Sequence, residues 1–384
     1  MAKEILLVML EFDNWEQGRS WSYTGSYAFL DGLRSNGHHC TVLPAIHGRS
    51  PDSADSFIHH APDLFAGKTF DEAWIWCNHA TFDEKFWSWL KRVAPVRVGV
   101  VLESLHYTQE ELLALPFLAE REKDAYASLR HCTHALAADE ADVTEITETL
   151  GIPATWNVFM VPEQFIRSDQ PPASDMAAFI GAGYFTGPAY NFPLAHTLPR
   201  NQYLNSPELS LLMNRPHFQL PERSSDVLPR FESLHQKMKA RLLAGTLDSS
   251  SLENFVSELQ ELREQIFTMF LEGLRIGMAC VNLPTLVKSF SGRVIEAMAA
   301  GVPSVSWLPP NRKNCQALFS DGKDLLLFNS IEELRDKLML LRQQPQLKTA
   351  LTSSARNVLL ERHTSKIRCA QYAAWLDNAT SPTF

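Results

Sequence analysis

The sequence predicts an α/β protein of two domains, each built on a parallel β-sheet. Its 384 residues exceed what one ordinary core accommodates, and about 150 residues per domain favours two or three domains. Short apolar runs alternate with segments of helical periodicity over residues 1–165, and a second alternation begins at Ala177. Because strands of near-continuous apolar content are typical of parallel sheets covered on both faces, each domain is expected to have that layered arrangement.

The domain boundary is predicted in the polar, proline-containing stretch 162–174. This places an N-terminal domain (the N domain) at 1–165 and a C-terminal domain (the C domain) at 175–365. The last segment, 365–384, is expected to form a helix that packs back toward the N domain.

The N domain alternates between strand and helix along its whole length. Residues 81–93 carry apolar side chains at the spacing of one helical face, whereas 96–102 is rich in β-branched residues, which favour strands. Strands are predicted at 5–10, 39–46, 72–77, 96–102, 134–138 and 154–160, and helices at 26–36, 81–93, 109–130 and 140–150.

The C domain is predicted to begin with a strand at 177–181 and to carry an irregular and helical insertion over about 184–276. The insertion is rich in Pro, Asn, Ser and His up to about residue 250 and is expected to be irregular there. A long helix then begins at a capping box of Ser250 and Glu253, and its apolar stripe is expected to pack in the core. Further strands are predicted at 278–283 and 302–307, and helices at 292–300, 332–342, 346–361 and 365–377.

Charge and composition argue against several classes of protein. The net charge of −9, a sequence pI near 5.8 and the lack of any Lys/Arg run disfavour a nucleic-acid partner. No apolar run approaches the roughly 20 residues that span a membrane, and the run at 5–10 is too short for a signal peptide, so a cytoplasmic location is expected. The six cysteines are scattered without a C-x-x-C pair, which favours buried, reduced thiols.

A bound metal ion is not expected from the histidine pattern. The adjacent pairs at 38–39 and 59–60 would point to opposite sides of a strand, and neither has a third ligand at a suitable spacing. The sequence also has no Asp-x-Asp motif.

One segment has the composition of a phosphate site: a predicted strand, a loop of small residues and a short helix. Ser289, Ser291 and Gly292 allow a ligand to approach the backbone closely, and the N–H groups at the start of a helix favour an anion. Arg293 adds a planar set of donors suited to a diphosphate, and Glu296, three residues later, faces the same side of the helix. On these features alone, an ordinary strand–helix turn with an Arg–Glu pair is an equal alternative.

The order of residues in this region resembles a known signature. Residues 296–303 read Glu-Ala-Met-Ala-Ala-Gly-Val-Pro, which is similar to the C-terminal motif of GT-B glycosyltransferases. Residues 317–334 resemble the passage that follows in the same family. Arg293, three residues before Glu296, resembles the arrangement in the family 4 and CgeB-like branch of these enzymes. The resemblance covers 280–375 well and 70–160 loosely.

The resemblance implies a GT-B fold, in which two Rossmann-like domains face each other across a cleft. It implies a hexosyltransferase-like enzyme that moves a sugar from a UDP- or GDP-linked donor to an acceptor, whether a glycan, a protein or a small molecule. It also implies no bound cofactor or metal and retention of the anomeric configuration. The sequence leaves the acceptor unidentified and a homo-oligomer open.

The resemblance also assigns expected roles on the donor side of the cleft. Arg293 and the loop amides would stabilise the leaving diphosphate, and Glu296 would orient the ribose. Gly181 and Gly183, which follow the first C-domain strand, are expected to lie close to the donor phosphates. One position departs from the family, since Lys288 stands where many members have a Glu near the donor sugar.

Acceptor and base candidates lie in loops that follow N-domain strands, because ligands bind at the carboxyl ends of strands in open α/β sheets. His79, Glu103 and His106 each occupy such a position and are the candidates for acceptor contact or general base. Two alternatives remain at this point: a nucleotide-sugar epimerase on the same fold, and a non-catalytic protein that binds a nucleotide sugar or serves as a scaffold.

Overall fold

A computed structural model describes residues 2–13, 23–78, 80–169, 174–180, 199–214, 226–284 and 287–378. The strands in these ranges form two parallel sheets, one in each half of the chain. This confirms the predicted α/β class. In the same ranges, no helix combines the length and apolar character needed to cross a membrane.

The N-domain sheet is parallel, with the strand order β2-β1-β3-β4-β5-β6. Strand β1, which lies between β2 and β3, is buried along almost its whole length, as the apolar run predicts. The strands are β1 (Glu4–Glu11), β2 (His39–Ile46), β3 (Glu72–Trp76), β4 (Val96–Val101), β5 (His134–Ala137) and β6 (Ala154–Trp156).

The helices of the N domain connect successive strands. They are α1 (Tyr27–Ser35), α2 (Phe57–Leu64), α3 (Glu84–Val93), α4 (Gln109–Ala114), α5 (Phe117–Leu129) and α6 (Glu140–Leu150). The prediction of a single helix at 109–130 is therefore wrong, because α4 and α5 are separate helices. The break falls at Pro116, which has no N–H to donate and whose ring clashes with the preceding turn.

The C-domain sheet is also parallel, with the order β11-β10-β9-β7-β8. Its strands are β7 (Ala177–Ala178), β8 (Met213–Asn214), β9 (Cys280–Asn282), β10 (Ser304–Trp307) and β11 (Leu326–Phe328). Both sheets reverse the direction of winding beside their first strand, between β1 and β3 and between β7 and β9. In open α/β sheets the crevice at such a point is where ligands bind.

The C-terminal half is mainly helical outside its sheet. Its helices are α7 (Pro199–Leu204), α8 (Pro207–Ser210), α9 (Val227–Leu243), α10 (Ser249–Leu274), α11 (Gly292–Ala299), α12 (Lys313–Ala317), α13 (Ile331–Gln343), α14 (Pro345–Val358) and α15 (Ser365–Asn378). The expectation of an irregular stretch up to residue 250 is wrong over α9. The cap of α10 also differs, because the Asp248 carboxylate accepts the Ser251 N–H at 2.7 Å.

Helix α10 connects the two domains. Its predicted apolar stripe is buried, but much of it packs on the N domain, where Phe255 stacks on Phe57 at 5.6 Å between ring centroids. Further along, Gln260 donates to Asp31 at 2.9 Å and Arg263 forms an ion pair with Glu11. One apolar core therefore extends from the N-domain sheet through α10 to α11.

Helix α15 packs closely on α1. A Cβ added to Gly32 would lie 2.4 Å from the backbone oxygen of Ser365, so the two helices meet where α1 has no side chain. The Tyr372 hydroxyl accepts the Val158 N–H at 3.0 Å, after the last strand of the N-domain sheet. The end of the described chain thus lies against the N domain.

Candidate functional site

The loop that follows β9 leads into α11, at the winding reversal of the C-domain sheet. Ser291 is the N-cap of α11, and within the described residues its hydroxyl makes no capping bond to the helix. Two N-domain residues cover the first turn, since a Cβ at Gly292 would lie 3.3 Å from Thr24 Oγ1 and from a ring carbon of Phe159. The start of α11 therefore faces the N domain at short range.

Arg293 and Glu296 lie side by side on this helix, as their spacing predicts. Arg293 Nε is 3.4 Å from Glu296 Oε2, and the guanidinium lies 4.4 Å from the ring centroid of Phe270. Its Nε and Nη1 are buried and have no hydrogen-bond partner among the described residues, although the side chain as a whole is 24% exposed. Buried N–H groups of a cation without acceptors are costly, so this site favours an anionic ligand.

Glu296 is buried and connects the two domains. Its Oε1 accepts the Thr24 hydroxyl at 2.8 Å, while its Oε2 faces Arg293. Thr24, which lies shortly before α1, is thus tied to α11. No local sequence pattern indicated that Thr24 and Glu296 are partners.

Lys288 extends from the donor-side loop to the loop after β4. Its backbone N–H donates to Ser104 Oγ at 2.8 Å, and its Nζ donates to Glu111 Oε2 at 2.7 Å and to the His106 carbonyl at 2.8 Å. A Glu at this position would instead face Glu111. The lysine that replaces the family's Glu at position 288 therefore has a partner in the N domain, Glu111.

The beginning of α6 forms a further contact between the domains. Asp139 is fully buried and accepts two bonds from the Arg312 guanidinium, the one from Nη2 at 2.8 Å. It also accepts the Ser104 hydroxyl at 2.9 Å. Glu140 Oε2 accepts the Cys315 N–H at 2.7 Å. Carboxylates at the start of one helix thus meet the loop and helix that follow β10.

Asp142 of α6 binds the backbone of the loop after β4. Its carboxylate accepts the N–H groups of Leu105 at 2.7 Å and His106 at 3.2 Å. Burial, together with the nearby charge of Asp139, raises the pKa of Asp142 to about 7. Neither Asp139 nor Asp142 was among the sequence-predicted site residues, although Asp139 lies two residues after β5 and Asp142 lies in the first turn of α6.

A family profile described as "Glycosyl transferase-like" matches residues 254–374, which include α11 and the ion pair of Arg293 and Glu296. An α-glucosyltransferase solved with UDP-glucose and DNA containing an abasic site has a similar structure, with a TM-score of 0.56 at 12% identity over 98% of this chain and 100% of the other. The fold is that of the GT-B glycosyltransferases.

Two further structures agree with the GT-B fold. The sucrose-phosphate synthase from Thermosynechococcus elongatus gives a TM-score of 0.53 at 11% identity, covering 98% of this chain and 99% of the other. A glycosyltransferase from Rickettsia africae gives 0.50 at 10% identity, covering 97% of each chain. No curated protein sequence matches this chain. The family match marks the protein as a glycosyltransferase, and the structural matches show its fold.

The structure brings only some of the sequence-predicted site residues together. Ser291, Gly292, Arg293 and Glu296 meet at the start of α11, as predicted. Ser289 is buried with its hydroxyl 3.4 Å from Cys315 Sγ, so that hydroxyl faces α12.

The acceptor-side candidates lie in different settings. His106 is 60% exposed, with Nδ1 3.2 Å from Glu145, and its carbonyl touches Lys288 of the donor loop. Glu103 pairs with Arg121 at 3.0 Å. Arg121 also lines a cavity of about 540 Å³ at the carboxyl ends of β2 and β3, with His47, Gly48, Arg49, Ser50, Pro51, Ala80, Thr81 and Asp124. His79, Gly181 and Gly183 lie outside the described residues.

Proposed function

We propose that this protein transfers a sugar from a nucleoside-diphosphate sugar to an acceptor, with the donor diphosphate at the start of α11. The observation that carries this proposal is the Arg293 guanidinium, whose buried Nε and Nη1 have no hydrogen-bond partner among the described residues. The N–H groups of Gly292 and Arg293 belong to the same first turn of α11. A diphosphate would supply acceptors to both sets of donors.

Glu296 is proposed to orient the ribose of the donor. It already accepts one hydroxyl, that of Thr24, at 2.8 Å. A ribose hydroxyl would form a bond of the same kind with this carboxylate. The role of Ser291 and Gly292 in this arrangement is to leave the backbone N–H groups accessible to the phosphates.

The transfer itself forms a bond between an acceptor oxygen and the anomeric carbon while the bond to the diphosphate breaks. Arg293 and the helix N-terminus would stabilise the negative charge that develops on the leaving diphosphate, and no metal ion is needed for that purpose. The acceptor proton is proposed to pass to His106 or Glu103. Retention of configuration follows from the family resemblance and can be read from the anomer formed in the product.

The acceptor is proposed to bind at the carboxyl ends of the N-domain strands. The cavity of about 540 Å³ there is of the size that holds small ligands, and its lining includes the polar side chains of Ser50, Thr81 and Asp124. Arg49, which lines it, forms ion pairs with Asp13 and Asp55, so its charge is balanced by carboxylates. A neutral, hydroxyl-rich acceptor fits this lining better than an acidic one.

Calorimetric titration with UDP and GDP tests the donor site. UDP is the first to try, since one structural relative was solved with UDP-glucose. Arg293→Ala is expected to weaken nucleoside-diphosphate binding by about 10- to 100-fold, because charge-assisted bonds are lost. Arg335→Ala is the matched control. It removes an arginine of α13 that pairs with Glu208 of α8 and with its neighbour Asp336.

The outcomes separate the alternatives. Unchanged binding in Arg293→Ala would show that the diphosphate does not lie at this arginine. A slow release of UDP from UDP-sugars supports the transferase, whereas interconversion of the sugar indicates an epimerase. If the wild-type protein binds neither nucleotide, the proposed function is wrong.

A further inference from the structure

In the described part of the loop between β9 and α11, Lys288 reaches across to the N domain. Its ammonium group donates two hydrogen bonds to N-domain acceptors, Glu111 Oε2 and the His106 carbonyl. The side chains of Lys288 and Glu111 are only 17% and 18% exposed. A pair this well shielded from solvent is screened less than a surface ion pair, so its loss has consequences for local order.

Glu111 has a second role, which links the ion pair to local folding. Its Oε2 also accepts the Thr108 N–H at 2.7 Å, and Thr108 Oγ1 accepts the Glu111 N–H at 3.2 Å, which together form the capping box of α4. Helix α4 has only six residues and is too short to be stable without tertiary contacts. The carboxylate that starts this helix is the one that Lys288 neutralises.

A second cation of the C domain repeats the arrangement one strand further along. Arg312 donates to both carboxylate oxygens of buried Asp139. Ser104 connects the two contacts, since its hydroxyl accepts the Lys288 N–H and donates to Asp139. Lys288 and Arg312 of the C domain, with Ser104, Glu111 and Asp139 of the N domain, are called the interdomain clasp below.

We propose that Lys288 is a positioning residue: through the interdomain clasp it orders the segment 104–111 of the N domain against the donor loop. Both cations come from the C domain and both carboxylates from the N domain. The contact is therefore complementary in charge and can form only between the two domains. Its effect is to place the His106 loop directly beside the start of α11. The link to catalysis rests on the proposed function, but the ordering of 104–111 does not.

Hydrogen–deuterium exchange of the full-length protein without ligand tests the proposal. Lys288→Gln removes the charge, and the amides of 104–111 should then exchange about tenfold faster than in the wild type. Lys288→Arg keeps a cationic donor and is expected to restore most of the protection. Lys337→Gln is the matched control, because it removes a Lys–Asp pair with Asp321 elsewhere in the C domain.

The partner variant shows whether the effect passes through the ion pair. Glu111→Gln should accelerate exchange in the same segment, and the double variant should exchange no faster than Glu111→Gln alone. Equal exchange of 104–111 in Lys288→Gln, the control and the wild type would overturn the proposal. So would an additive effect in the double variant.

Two further measurements keep the test decisive. If Lys288→Gln also accelerates exchange in β1, the whole N domain has opened. Lys288→Arg then decides: it should protect 104–111 much as the wild type does, and exchange as fast as in Lys288→Gln would overturn the proposal. Because exchange is measured without ligand, a failure of nucleotide binding in the wild type would overturn the proposed function and leave the clasp intact.

Discussion

The ion pair of Glu11 and Arg263 offers a sharp test of how α10 supports the N domain. Glu11 ends β1 and Arg263 comes from α10, and the side chain of each is only 4% exposed. Glu11 also accepts the Phe12 N–H at 2.8 Å and the Tyr27 hydroxyl at 2.7 Å. Burial lowers the pKa of Arg263 to about 9, so the guanidinium remains charged at pH 7.

Arg263→Met is expected to destabilise the N domain by about 3–5 kcal/mol, because it leaves a buried carboxylate without its cation. Methionine keeps much of the apolar stem that packs near Phe231, over which the guanidinium lies at 4.6 Å. The double variant Arg263→Met with Glu11→Gln should recover most of the loss. A neutral amide can accept the Phe12 N–H and donate to the Tyr27 hydroxyl oxygen, so no buried charge remains.

Urea unfolding at pH 7 measures both variants. Four of the nine tryptophans lie on β3 and α3 in the N-domain core, so a large part of the fluorescence reports on that domain, and Trp307 of β10 adds a C-domain signal. The single variant should unfold at a clearly lower urea concentration than the double variant. Equal destabilisation of the two would refute the reasoning, because the loss would then come from packing and not from the unpaired carboxylate.

Two other predictions concern the loop after β4. His106→Ala should lower glycosyl transfer by about 100-fold or more if His106 is the general base, with nucleotide binding unchanged within about twofold, and an unchanged rate would shift the role to Glu103. For Asp142, the native carboxyl keeps its proton to about pH 7, whereas the unfolded carboxyl loses it near the model-compound value of 3.8. Stability should therefore fall by as much as about 4 kcal/mol as the pH rises from 4 to 7. Asp142→Asn should flatten that part of the profile in urea titrations, and an unchanged slope would contradict the assignment.

Several elements were predictable because their causes are local. The strand at 39–46 has the same ends in the structure as in the prediction, since its apolar run sets the strand directly. Gly151 ends α6 in the left-handed conformation, with φ 68°, that favours glycine after a helix. Arg293 and Glu296 face each other because three residues bring side chains to one side of a helix.

Other features depended on contacts that no local pattern contains. The apolar stripe of α10 indicated burial, but it carried no information on the partner surface, which is largely the N domain. Helix α9 was missed because its neighbours in sequence are rich in helix-breaking and polar residues, whereas its apolar face is buried by tertiary packing, notably against α10. Tertiary packing overrides weak local preference in such cases.

By itself, the sequence determined the α/β alternation and the start of a helix after the small-residue loop at α11. The tertiary structure alone decided which side chains meet there. Thr24 and Glu296 are 272 residues apart, and Glu111 and Lys288 are 177 apart, yet each pair forms a short hydrogen bond. Periodicity and capping act over a few residues, whereas these bonds exist only because two separately predictable domains pack face to face. The partners of the site are set by that packing.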